Sequence, residues 1–106
     1  MKLPQIITDN LNDRIVDKFF CLIKLVSDKD IMNEQMKLFL TTLSDYDGSN
    51  SDPSEREEMT VKINDAYIKL SLIQQKIVKR SFELAISTHD INSITEQYYF
   101  ELKKLI

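Results

Sequence analysis

A single glycine and two prolines among 106 residues leave this chain few places to stop a helix. Gly48 lies in the polar stretch Asp45-Tyr46-Asp47-Gly48-Ser49-Asn50-Ser51-Asp52, Pro53 follows it, and Pro4 sits near the beginning. Between these points no residue breaks a helix by itself, and apolar side chains recur at steps of three and four. The fold class is therefore all-α. A hydrophobic fraction of 42% against 29% charged residues describes a globular chain rather than a disordered one. One domain spanning 1–106 is expected at this length.

Four helices are expected, over about 6–26, 30–44, 53–86 and 90–106. In the first, Ile7, Leu11, Ile15, Phe19, Leu22 and Val26 share a face, with Val16, Phe20 and Ile23 beside it. Ser27-Asp28-Lys29-Asp30 supplies caps for the second, which turns Met32, Met36, Phe39, Leu40 and Leu43 inward. The short junction predicts either an antiparallel hairpin or one kinked helix. Asp52-Pro53-Ser54-Glu55 reads as a cap, a proline at the first helical position and a glutamate able to reach back. The third helix then carries Met59, Ile63, Ala66, Leu70, Ile73, Ile77 and Leu84 inward, widened by Ile68, Leu72, Val78, Phe82 and Ala85.

Unbroken, that third helix would run roughly 50 Å at about 1.5 Å per residue, far beyond its shorter neighbour. It must bend, near Asn64 or Ser71, or project past the others. Ser87-Thr88-His89-Asp90 starts a fourth helix with Ile91, Ile94, Tyr98, Leu102 and Leu105 buried. A faint echo links Ser27-Asp28-Lys29-Asp30-Ile31 with Ser87-Thr88-His89-Asp90-Ile91, although cap residues are common at any helix start. Two hairpins, separated by the loop 45–52 and packed as a four-helix bundle, are the simplest architecture.

Most chemistry is disfavoured by residue type. Asp45-x-Asp47-x-Ser49-x-Ser51 places oxygen ligands at alternate positions, as a calcium loop does, but position 6 is Asn50 and position 12 is Arg56. A polar linker is the expected reading, without bound calcium. His89 is the only histidine and falls in a turn, where capping is a simpler role than general base. Cys21 stands alone in an apolar run, so neither a disulfide nor a cysteine-rich zinc site is expected. No phosphate-cradling glycine loop exists, and Arg14, Arg56 and Arg80 lie outside the apolar stripes. No cofactor and no enzymatic activity are expected.

The first nine residues lack the apolar core of a secretory signal, and no apolar run approaches the roughly 20 residues that cross a bilayer. A cytoplasmic setting without a membrane span is expected. Net charge is −3, which gives no general attraction to polyanions. A nucleic-acid-associated regulator is the alternative function, carried by Lys62, Lys69 and Lys76 at sevenfold spacing and extended by Lys79 and Arg80. Asp65 and Glu83 lie beside that stripe, and no aromatic residues alternate with the lysines to stack on bases.

Surplus apolar surface points elsewhere. Phe19, Phe20 and Ile23, and then Tyr98, Tyr99 and Phe100, place large side chains on different sides of their helices. Either both clusters fill the middle of the bundle, or part of each is exposed as a protein interface. The expected function is therefore a non-enzymatic interaction module, such as an adaptor, chaperone, inhibitor or immunity-like protein. It would act through an apolar helix face on a partner or on a second copy of itself.

Overall fold

A computed structural model describes residues 3–26, 31–46, 53–88 and 96–105. Among them every regular element is helical: α1 Gln5–Thr8, α2 Asp13–Lys24, α3 Glu34–Ser44, α4 Pro53–Ile68, α5 Leu72–Ser87 and α6 Glu96–Lys103. Two of the expected helices are each divided in two. The first, expected over 6–26, breaks across residues 9–12. There Asn10 Nδ2 turns back to donate to the Ile6 carbonyl at 2.7 Å, and Asn12, extended at φ −136°, accepts from the Ile15 N–H at 3.1 Å. Asparagine side chains compete for backbone groups in this way, ending one helix and capping the next.

The third, expected over 53–86, breaks at residues 69–71. Ser71 is extended and forms a capping box: its hydroxyl accepts from the Gln74 N–H at 3.2 Å, while Gln74 Oε1 accepts from the Ser71 N–H at 2.9 Å. Gln75 satisfies the end of α4, donating from Nε2 to the carbonyls of Tyr67 and Leu70 at 3.2 Å each. Of the bend points expected from sequence, Ser71 is where the chain turns and Asn64 is not. Asn64 Oδ1 instead accepts from the Leu3 N–H at 2.7 Å, tying the start of the chain to α4.

This division changes the packing partners. The main contacts run from α2 to α5 and from α3 to α4, with α1 and α6 also against α5. The expected pairing of 6–26 with 30–44 as a hairpin is not the principal packing. Once the long helix is cut at Ser71, each half takes one of the earlier helices as its neighbour. The cap of α3 is Asn33, whose Oδ1 accepts from the Met36 N–H at 3.1 Å, so α3 begins at Glu34. Helix α4 begins at Pro53 as expected. Residues 27–30, 47–52 and 89–95 lie outside the described residues, and with them His89, the cap at Asp52 and most of the loop 45–52.

The core is a row of aromatic rings joining α2 to α5. Phe82 of α5 stacks on Phe19 of α2 with centroids 4.4 Å apart; Phe19 meets Phe39 of α3 edge-on at 6.4 Å; Phe39 meets Tyr67 of α4 at 6.1 Å. Around them Ile7, Leu22, Ile23, Met36, Leu43, Ile63, Ile77 and Leu102 are buried. Much of the expected periodicity is realised, with Ile15, Met32 and Leu40 only partly buried. A radius of gyration of 13.2 Å is that of a compact chain this long.

One core polar atom is out of place. Ser81 is fully buried on α5, and its Oγ has no hydrogen-bond partner among the described residues. Ser81→Ala is expected to stabilise the fold by about 1 kcal/mol, since it removes an unsatisfied hydroxyl and improves helix propensity. A urea midpoint that rises at unchanged slope would bear this out.

Candidate functional site

Three apolar side chains expected to face inward are exposed instead: Ile68 at the end of α4, and Leu72 and Ile73 at the start of α5. Their exposures are 44%, 65% and 44%. The break at Ser71 is the cause. An uninterrupted helix would have carried its apolar stripe across this point, whereas the restart at Leu72 puts Gln74, Gln75, Ile77 and Val78 on the buried side of α5. Leu72 and Ile73 therefore occupy the first two positions of a capped helix, where acidic residues suit the helix dipole and apolar ones gain nothing from local structure. Together with Ile68 they make an apolar corner at the α4–α5 junction.

The residues expected to form an interface are distributed unevenly. Phe19 and Ile23 are buried within the chain, so they offer no surface to a partner; the aromatic row has absorbed them. Phe20 is half-buried against the same cluster. On α6 Tyr98 and Tyr99 are half-buried, whereas Phe100 is 60% exposed and meets Tyr99 edge-on at 5.5 Å. Helix α6 runs antiparallel to α5, because Tyr98 reaches Thr88 while Glu101 pairs with Arg80, nearer the start of α5. Leu102 is its buried anchor.

The basic stripe does not lie on one helix face. Lys62 belongs to α4, Lys69 to the turn, and Lys76, Lys79 and Arg80 to α5, so spacing by seven no longer aligns them. Lys62 stands 4.0 Å from Glu58, and Arg80 bridges Glu83 at 2.8 Å and also Glu101. Hydrogen bonds to Glu101 and then Glu83 raise the pKa of Arg80 above its ordinary value. Burial raises that of the Tyr67 phenol.

Cys21 is half-buried on α2. Among the described residues no three His, Cys, Asp or Glu side chains come together in a way that would hold a metal ion, and no helix is long and apolar enough to cross a membrane. Comparison of the chain with protein-family models, curated proteins and solved structures finds no match.

One signal for this site was present in the sequence. Ser71-Leu72-Ile73-Gln74 has the serine-x-x-glutamine spacing of a capping box, which marks a helix start. Once a start is placed there, Leu72 and Ile73 fall outside the continuous ladder.

Proposed function

We propose that this chain is a non-enzymatic helical module that binds protein through the apolar corner of Ile68, Leu72 and Ile73, with Phe100 as a second exposed anchor on α6. The observation that carries the reading is the 65% exposure of Leu72 beside Ile73 at the start of a helix capped by Ser71 and Gln74. Such side chains contribute to the free energy of the fold only if something covers them, since each buried apolar group gains roughly 25 cal/mol per Å². Self-association is the simplest form of the proposal, because a second copy presents the same corner. An adaptor, chaperone, inhibitor or immunity-like role would use the same surface on a different protein.

The accompanying architecture is a four-helix bundle of α2, α3, α4 and α5 around Phe82, Phe19, Phe39 and Tyr67, with α1 and α6 packed against α5. A cytoplasmic setting goes with the proposal, as one free cysteine calls for no oxidising compartment. The nucleic-acid alternative loses its main support with the division of the lysine stripe.

Leu72→Asp tests the surface directly. Because an acidic residue suits the first turn of α5, the variant is expected to unfold within about 0.5 kcal/mol of the parent. It should nevertheless lose self-association measured by size-exclusion chromatography with light scattering, and lose binding of a hydrophobic dye. A parent chain that is strictly monomeric and binds no dye would count against the corner as an interface.

A further inference from the structure

Between the start of α2 and the end of α5 lies an open cleft of about 390 Å³, lined by Asn10, Asn12, Arg14, Lys18 and Thr88 among others. The proposed protein-binding corner makes no use of it. Arg14 and Lys18 are four residues apart on α2, so they stack on one side a helical turn apart, where like charges repel. Lys18 is only 4% exposed. Its ammonium donates to the Thr88 carbonyl at the end of α5, a favourable place for a cation, but that contact uses one of its three N–H groups. None of the lining residues is acidic, and among the described residues neither Lys18 nor Arg14 forms an ion pair. A buried ammonium without an anion costs several kcal/mol unless it is compensated.

The same cleft receives the amino end of a twelve-residue helix. Asn12 caps α2 by accepting from Ile15, while the N–H groups of Asp13 and Arg14 belong to the first turn, which has no intrahelical acceptors. Arg14 and Lys18 line the cleft beside the amino end of α2, whose partial positive charge is opposed by the Asp13 carboxylate in the same first turn and by the carbonyl end of α5 at Thr88. With two oxygens on the Arg14 fork, a phosphate group still offers a third to Lys18, which a carboxylate lacks.

We infer that this cleft binds a phosphate group, as the free ion or as a phosphomonoester, with Arg14 as a forked donor and Lys18 as a buried point charge. The test is an amide-resolved NMR titration of the full chain at neutral pH with sodium phosphate, against sodium chloride and sodium acetate at matched ionic strength. Every carboxylate the protein owns is then present to compete. Saturable shifts confined to residues 10–18 and the neighbourhood of Thr88 are expected with phosphate. Arg14→Gln changes an exposed side chain and should weaken that binding about tenfold or more. Phenyl phosphate in a parallel titration separates the two sources: tighter binding than inorganic phosphate assigns the site to a phosphomonoester, weaker binding to the free ion, and both support a phosphate site. No saturable shift, acetate binding as tight as phosphate, or undiminished binding by the Arg14→Gln chain would each overturn it.

Discussion

Phe19→Ala is expected to cost about 3 to 5 kcal/mol, the range for removing a fully buried phenylalanine from a well-packed core. Phe19 is the branching point of the aromatic row: its ring stacks on Phe82, meets Phe39 edge-on and touches Phe20 at 5.8 Å. Truncation leaves a void bordered by three helices and deletes ring pairs worth about 0.5–1.5 kcal/mol each beyond their buried area. Domains of this size hold only about 5–15 kcal/mol in total, so the variant should melt roughly 20 °C lower. Far-ultraviolet circular dichroism on heating reads this directly. A loss under about 1 kcal/mol would mean that Phe19 does not occupy the centre of the core. Phe20→Ala, on a half-buried neighbour, should cost distinctly less and serves as the control.

The second large effect is expected at Gln74. This side chain is 1% exposed and joins two segments of the chain through three partners. Nε2 donates to the Ile31 carbonyl and to Asn33 Oδ1, each at 2.8 Å, while Oε1 accepts from the Ser71 N–H. It thereby ties the capped start of α5 to the capped start of α3. In Gln74→Leu the volume is nearly kept, but the Ile31 carbonyl and Ser71 N–H lose their partner, and buried unsatisfied groups cost about 1–3 kcal/mol apiece. The expected total is about 3 kcal/mol by chemical denaturation. Gln74→Glu separates hydrogen bonding from shape: it retains the acceptor for Ser71 but brings an anionic oxygen against two acceptors, so it should be at least as damaging near neutral pH. If either variant unfolded at the parental midpoint, the link between α3 and α5 would contribute nothing to stability.

Loss of the Gln74 link also bears on the apolar corner. The capping box places Leu72 and Ile73 at the first two positions of α5, outside its packed side. A variant that weakens the box should blur that placement before it disturbs the aromatic row, which lies further along α5 at Phe82. Hydrogen exchange at the first turn of α5 is therefore expected to accelerate more in Gln74→Leu than in Phe19→Ala relative to their stabilities.

Helical character and most buried positions follow from local rules acting on this sequence. With so little glycine and proline, apolar spacing near 3.6 residues dictates helices, and it places Phe19, Phe39, Ile63, Ile77 and Phe82 inside wherever those helices pack. Local rules could also have placed the restart at Ser71, since serine followed three residues later by glutamine is a cap signature. What they do not decide is whether a cap interrupts a run that is otherwise good helix throughout. That choice was made by tertiary contacts through Gln74, which finds acceptors at Ile31 and Asn33, while Gln75 meets the released carbonyls within the turn itself. Partners forty residues away in sequence are invisible to periodicity.

The surface follows the same division. Composition and spacing already imply that large apolar side chains exceed what one stripe per helix can bury, and packing settled which were left outside. Phe19 and Ile23 went into the core because α2 lies against α5, whereas Ile68, Leu72 and Ile73 were left at a corner because the helix carrying them turns there. Likewise Lys18 reads as one more solvated lysine until the end of α5 closes over it and sets its ammonium against Thr88. Burial depends on which distant segment arrives to cover a residue, and the chain specifies that only through the sum of its packing.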